Sequence, residues 1–384
     1  MRDDYRVLGD YIKMVDNRNK DLSITNLLGV SIEKRFIPSI ANIVGTDLSN
    51  YKIVKTGQFA YGPVTSRNGE KISIAYLDGE DCIISSSYTV FEVVKKDELD
   101  SEYLMLWFSR PEFDRYARYK SHGSVREIFD WNELCSVELP VPSIEEQRNI
   151  VKAYKTIANR IALKKQINDN LEEQLKCLFK QTFGEVLTGK KALPAGWIKD
   201  EAQNLYEISI GKTPPRERLE CFTNNSEDIA WVSISDMGAN GMYIFETAEK
   251  LTPSAVKEFN VKIVPKDTVI YSFKMTNGRT SITTKECTTN EAIAHFKSDD
   301  ICRTLYAYCY LSCFRFSDLG STSSITEAVN SKIIKSMNFI VPERKELESF
   351  IETVKPLFDS IKLNSIELNK LNLLATNYLS LLSR

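Results

Sequence analysis

Histidine is nearly absent from this chain, and its cysteines are unpaired in sequence. Only His122 and His295 occur, and the eight cysteines contain no Cys-x-x-Cys pair. Zinc sites need clustered Cys and His ligands, so no metal site is expected, and the cysteines read as scattered reduced residues. Long apolar runs are also missing. The longest mostly apolar stretch, Leu305–Phe314, is about half of what a bilayer-spanning helix needs. Charge begins at Arg2, so no signal peptide is expected either. These absences point to a soluble, cytoplasmic chain without membrane contact. There is no basic excess: 50 Lys and Arg face 52 Asp and Glu, for a net charge of −2. A protein that grips nucleic acid alone through phosphates normally carries such an excess. Any attraction to nucleic acid must therefore be local, or come largely from a partner.

Catalytic motifs fail on inspection. Gly184-Glu-Val-Leu-Thr-Gly189-Lys190 has the glycine spacing of a phosphate loop, but Lys191 stands where Ser or Thr should ligate magnesium, and the segment closes a helix rather than opening one. Gly211-Lys212-Thr213 lacks its first glycine, with Tyr206 in that place, and Pro214–Pro215 follow. No dinucleotide fingerprint, Asn-Pro-Pro-aromatic motif or nucleophile-elbow serine appears. The expectation is a chain that is not an enzyme.

What the sequence does contain is a duplication. The 384 residues, 42% of them hydrophobic, suffice for two or three folded units. A shift of 200 residues lays Ser124–Glu127 on Ser324–Glu327, and without a gap Pro142 falls on Pro342, Glu146 on Glu346, Lys155 on Lys355, Ile161 on Ile361 and Leu171 on Leu371. Self-similarity over such a length marks a repeated unit.

The repeated stretch reads as one long helix per half. Apolar residues at steps of three and four run Ile150, Tyr154, Ile157, Ile161, then Leu171 and Leu175; the second copy gives Phe350, Val354, Leu357, Ile361 and Leu371. This is the period of a coiled-coil seam. Pro142 and Pro342 precede the helices, and Gly184 and Gly189 stop the first. From about Ile144 to Phe183 the helix is expected to be roughly 60 Å long. Lys164 and Asn364 interrupt the two seams at equivalent positions. In an antiparallel pair related by a pseudo-twofold they face each other, where a polar residue fixes register at some cost in stability.

The residues before each helix have a different texture: short β-rich runs such as Cys82–Ile84, Tyr88–Phe91, Val261–Val264 and Thr268–Tyr271, and turns at Asn68–Gly69 and Asn277–Gly278. They correspond loosely, Tyr61 with Tyr271, Cys82 with Cys287, Phe91 with Phe296. The expected architecture is α+β: two globular α/β modules, 1–142 and 188–342, followed by long helices, 143–187 and 343–384, that pair as an antiparallel coiled coil. Faithful helices and drifted modules suit one scaffold presenting two different recognition surfaces.

Particular motifs carry a family resemblance. Leu193-Pro194-Ala195-Gly196-Trp197 is followed by Leu205, Gly211-Lys212-Thr213-Pro214, Trp231–Asp236, Pro265–Ile270 and Thr289-Asn290-Glu291-Ala292-Ile293; the first half contributes Leu139–Ile150, with Pro140-Val141-Pro142-Ser143-Ile144-Glu145-Glu146-Gln147 at its centre. Over nearly its whole length the chain resembles the specificity (S) subunits of type I restriction-modification systems. It departs from the pattern at Glu346-Leu347, where the Glu-Gln pair has eroded, and the first module lacks the Leu-Pro-x-Gly-Trp opening. The resemblance implies a non-catalytic subunit whose two target recognition domains each read half of a bipartite, asymmetric double-stranded DNA target. It further implies that the helices set the spacer between halves and dock two methyltransferase subunits, to which restriction subunits join. S-adenosylmethionine, ATP and magnesium would belong to those partners.

Candidate DNA contacts follow equivalent strands: Tyr61, Thr65, Ser66, Arg67 and Asn68 in the first module; Ser272, Lys274, Thr276, Asn277 and Arg279 in the second; and Lys212, Thr213 and Arg216 in a further loop. Arg suits guanine, Asn suits adenine, and Ser or Thr suits phosphate or base. A solvated hairpin turn explains the same residues, and phosphate contact is as good a role as base readout for the Lys212 cluster. The rival in another class is a duplicated coiled-coil scaffold with no DNA role.

Overall fold

The computed structural model describes residues 5–39, 45–66, 68–69, 71–123, 126–274, 278–314 and 330–382. The chain forms two units, Met1–Ile161 with Leu371–Arg384, and Ala162–Lys370. Among the described residues no helix is long and apolar enough to cross a membrane.

In the first unit the β-branched and aromatic runs form a four-stranded antiparallel sheet, ordered Ile12–Val15, Thr89–Val93, Phe59–Tyr61, Ile74–Tyr76. Phe59 and Phe91 stack across the central pair with ring centroids 4.9 Å apart. Phe108, from the helix Ser101–Phe108, meets both edge-on. That helix begins where the Asp100 carboxylate accepts from the backbone N–H groups of Glu102 and Tyr103, satisfying two orphan donors. Tyr5–Val7 pairs antiparallel with Glu138–Pro140, and the chain then passes Pro142 into the first long helix, Ile144–Leu187. Ser143 and Glu146 bond reciprocally at its start. One turn in, Gln147 is fully buried. Its Oε1 accepts from the Asp100 N–H, and its amide donates to the carbonyls of Glu98 and Pro142, all at 2.8 Å. The glutamine thus bolts the long helix to the start of Ser101–Phe108.

The second unit repeats this plan with additions. Its five-stranded sheet runs Glu207–Ile210, Ile293–Lys297, Val269–Ser272, Thr280–Thr283, Tyr243–Ile244. A four-stranded sheet runs Phe222–Thr223, Glu249–Leu251, Ile229–Val232, Thr288–Thr289. Ile198–Glu201 pairs with Asn338–Val341, and Pro342 leads into the second long helix, Arg344–Leu381. The 200-residue shift extends to helices outside the seam: Ser101–Phe108 and Ile301–Cys313 start in step, as do Trp131–Cys135 and Ser331–Ser336. Within the sheets Phe59 pairs with Phe91 and Val269 with Phe296, which makes Tyr61 and Tyr271 counterparts. Leu347 takes the place of Gln147 and is buried among apolar neighbours, so no polar bolt is needed there.

The long helices pair antiparallel in each unit. In the first, Tyr154 and Tyr378 meet with centroids 6.4 Å apart, the Tyr378 hydroxyl donates to the Ile150 carbonyl, and Val151, Leu379 and Leu382 join the core. In the second, Leu175, Phe179 and Phe183 pack with Phe350, Val354 and Ile361, and the rings of Phe183 and Phe350 lie 4.8 Å apart. Leu171 and Leu357 pack at the margin of that core, while Ile157, Ile161 and Leu371 are half-buried. Between these apolar contacts lies a polar layer. Lys164 Nζ donates to Asn364 Oδ1 at 2.7 Å and pairs with Glu367 at 2.9 Å. Asn364 donates to Asn168 at 2.9 Å, and Asn168 to Ser365 at 3.3 Å.

Replacing Gln147 by Leu, the residue of the second copy, leaves the Asp100 N–H without its partner. A loss of about 1–3 kcal/mol is expected in urea unfolding, and a loss below about 0.5 kcal/mol would contradict the bolt.

Candidate nucleic-acid interface

Antiparallel order brings three loops of the second unit to one end of its five-stranded sheet. Glu207–Ile210 and Val269–Ser272 end there, and Ile293–Lys297 and Thr280–Thr283 begin there. Segments 211–216, 273–274, 278–279 and 289–292 therefore converge. In the first unit the equivalent end holds the residues after Val15, the described residues between Tyr61 and Ile74, and Ser85–Tyr88.

Three of the expected contact residues are buried. Tyr61 is fully buried, edge-on to Phe91 and Phe129. Thr65 is buried, and its hydroxyl donates to Ser121 Oγ at 2.8 Å. Ser272 is buried, and its hydroxyl accepts from the Arg279 N–H at 3.0 Å. Phe59–Tyr61 and Val269–Ser272 are buried on both faces, and Thr65 lies beyond its strand, so these three side chains pack within the unit and shape the loops. Arg67, Thr276 and Asn277 lie outside the described residues. Ser66 is exposed, and Asn68 closes its turn by donating to the Val64 carbonyl at 3.3 Å.

The second unit's cations are largely engaged. Arg216 is exposed yet sandwiched against Phe222 and Trp231, with its guanidinium 4.3 and 4.5 Å from the ring centroids, and it donates to Glu249 at 2.9 Å. Arg279 is half-buried and donates to the Ile234 carbonyl at 2.5 Å, tying its hairpin to the helix Ile234–Asn240. Lys212 and Lys274 project to solvent. The Thr213 hydroxyl donates to Glu291.

Sequence reasoning missed the acidic and bracing members of this end. Burial pushes the Glu291 carboxyl up, but the Thr213 hydroxyl, its own backbone N–H, Lys274 and Arg216 together hold it below its usual range. His295 is buried between Ser209 Oγ at 2.8 Å and Thr289 Oγ1 at 2.7 Å. Thr289 also accepts the Lys212 N–H through its carbonyl. Any Cβ at Gly211 would collide with Thr289 Oγ1 and the Asn290 carbonyl, so only glycine permits this close approach. His295 and Thr289 are sealed in the interior, so this hydroxyl–imidazole–hydroxyl trio braces the Lys212 loop. Arg18 was missed as well. Val15 pairs with Val90 as Ser209 pairs with His295, which gives Arg18 the place of Lys212 in the first unit. Among the described residues no group of His, Cys, Asp and Glu could hold a metal ion.

Burial pushes the His295 imidazole down to about 4. An unfolded histidine titrates near about 6.5, so both states are neutral above that pH. Below it the unfolded chain takes up a proton that the folded one refuses, and stability falls until about pH 4. Between about pH 7 and about pH 4.5 this site alone is expected to cost about 2–3 kcal/mol. His295→Gln should remove that part of the loss in urea unfolding. An unchanged pH slope in the variant would contradict the brace.

The family model described as "Type I restriction modification DNA specificity domain" matches residues 11–173 and 194–373. The type I restriction enzyme HindI specificity subunit of Haemophilus influenzae is 22% identical over an alignment of 443 positions, covering 95% of either chain. The MjaIX specificity subunit of Methanocaldococcus jannaschii is 25% identical over 286 positions, 70% of this chain and 65% of that one. The crystal structure of the type I restriction-modification S subunit from M. genitalium superposes with a TM-score of 0.54 at 13% identity, over 99% of this chain and 96% of that one, a likeness of fold. The two matched stretches each run from a globular module into its long helix. The chain belongs to the type I restriction-modification DNA specificity family.

Proposed function

We propose that this specificity subunit reads a bipartite, asymmetric target on double-stranded DNA, with residues 1–142 taking one half and residues 188–342 the other. The long helices, within 143–187 and 343–384, set the spacer and dock two methyltransferase subunits, and restriction subunits join through that complex. The chain itself carries out no catalysis; S-adenosylmethionine, ATP and magnesium act on the partner subunits.

One observation carries this reading: in both halves a strand pair leads through a proline into a long helix, and the two helices pair antiparallel about Lys164 and Asn364. Such a pair presents two like surfaces by pseudo-symmetry, which suits two copies of one partner. The loop ends of the modules, by contrast, have diverged, which suits two different half-sites. The near-neutral charge fits a chain that reads bases while partners supply much of the phosphate contact. Exposed cations such as Lys212 and Lys274 suit contact with phosphates.

The test is a module exchange. Residues 1–142 are replaced by the corresponding module of another family member, and the chimera is co-expressed with the methyltransferase subunits. Single-molecule sequencing of genomic DNA then reads the methylated motif. One half-site should change while the other half and the spacer stay. A change in both halves, or in neither, would contradict the assignment of one module to one half-site.

A further inference from the structure

In the first unit the loop between Tyr61 and Ile74 is fastened on both of its arms, by different means. At the neck the Gly62 N–H donates to the Ser73 carbonyl at 2.9 Å. On the outgoing arm the Pro63 carbonyl accepts from the Phe129 N–H at 2.8 Å, and the Thr65 N–H donates to the Glu127 carbonyl at 2.9 Å. The return arm is held by two side chains from distant parts of the unit. Lys34 Nζ donates to the Ile72 carbonyl at 2.9 Å and to Asp114 Oδ1 at 2.5 Å, and the same Oδ1 accepts from the Ile72 N–H at 3.0 Å. Both backbone groups of Ile72 therefore meet one ion pair. Next to it the Lys71 N–H donates to the Asn68 carbonyl at 3.4 Å, which links Ile72 to the tip, where Ser66 is exposed and Asn68 half-buried.

This pair differs from a surface bridge. Its side chains are 11% and 13% exposed, against 47% and 60% for the neighbouring Lys71 and Glu33. Lys34 lies in the turn between strands Leu28–Val30 and Phe36–Pro38 with a φ of 60°, left-handed backbone that residues other than glycine and asparagine rarely adopt. A buried ion pair returns little stability relative to apolar residues of the same size. Stability therefore does not explain why a strained turn delivers a lysine here, whereas fixing one loop geometry does. The pair is also particular to this module. The 200-residue shift puts Phe314 at the place of Asp114, and in the second unit Arg279 ties the equivalent hairpin to the Ile234 carbonyl instead. Neither Lys34 nor Asp114 lies in the stretches that carry the family resemblance.

We propose that Lys34 and Asp114 are positioning residues for base readout by the first module, holding Ile72 so that the loop tip bearing Ser66 and Asn68 meets the DNA in one conformation. This rests on the reading of residues 1–142 as a DNA-recognition module.

The full-length chain is co-expressed with its methyltransferase subunits, and methylated motifs are read by single-molecule sequencing for the wild type and two double variants. Lys34→Met with Asp114→Leu removes the charges together, so no lone ion is left buried, and removes both bonds to Ile72. Lys34→Met with Asp114→Asn is also neutral but keeps an amide oxygen for the Ile72 N–H. The Met/Leu variant should make at least one base pair degenerate in the half-site that changes when residues 1–142 are exchanged. Discrimination there should fall about fivefold or more, while the other half-site and the spacer persist. The Met/Asn variant should relax the same base pair less. An unchanged motif in the Met/Leu variant overturns the proposal, whatever its thermal midpoint, since the pair would then serve stability alone. Degeneracy confined to the other half-site, or equal relaxation in both variants, overturns it too. Loss of all methylation in both variants also overturns it, since the pair would then be a requirement of folding. A wild-type chain that yields no bipartite motif fails one level lower, at the module reading itself.

Discussion

The antiparallel pairing of the two long helices is the constraint on which the rest of the structure depends. Each helix supplies side chains to both cores. The first gives Val151 to one and Phe179 and Phe183 to the other; the second gives Phe350 and Val354 to one and Leu379 and Leu382 to the other. Fully burying an apolar side chain of this size is worth about 1.5–3 kcal/mol, so neither unit closes its core without both helices. The polar layer around Lys164, Asn168, Asn364, Ser365 and Glu367 adds little to that sum, because buried polar groups return little net stability even when hydrogen-bonded. Its value lies in register. A slip would strand these groups against leucine and isoleucine, at a penalty that a continuous apolar seam would not impose.

On this frame the modules differ in chemistry while keeping their topology. In both, the same sheet end gathers the loops, and the same inward-facing tyrosine, Tyr61 or Tyr271, underlies them. The second unit crowds that end with mutually engaged groups: Arg216 against Glu249, Phe222 and Trp231, Arg279 against the Ile234 carbonyl, Thr213 against Glu291. Such engagement orders side chains in advance, which lowers the entropy lost on binding. It also spends their charge locally, in keeping with a net charge of −2.

The scaffold was legible in the sequence because its determinants are periodic. Steps of three and four residues from Ile150 and from Phe350 give the seam, and a constant shift of 200 places Lys164 opposite Asn364. The recognition end was legible only in outline. The loops after Tyr61 and Tyr271 were found by their place after equivalent strands, but the burial of both faces of those strands, which encloses Tyr61 and Ser272, depends on packing that local sequence does not state. The partners of Thr213 and Arg216 lie 78 and 33 residues away, joined by sheet topology. Gln147 appeared as part of a motif, yet its purpose, three hydrogen bonds to a distant helix start and a proline carbonyl, needs the folded chain. Leu347 at the same place in the second copy was read as erosion, and it is a different solution to the same packing problem.

If the helix pair is the strut between two reading modules, its length governs the spacer of the DNA target. Four residues inserted after Asn170 and four after Lys362 lengthen both helices by about 6 Å on one side of the polar layer, leaving the layer and the partnering of the helices intact. That length corresponds to about two base-pair steps of roughly 3.4 Å. Sequencing of methylated DNA from cells carrying this variant and its methyltransferase subunits measures the outcome directly. The account predicts both original half-sites with a spacer longer by one or two base pairs. An active variant that methylates the original motif with its original spacer would contradict it.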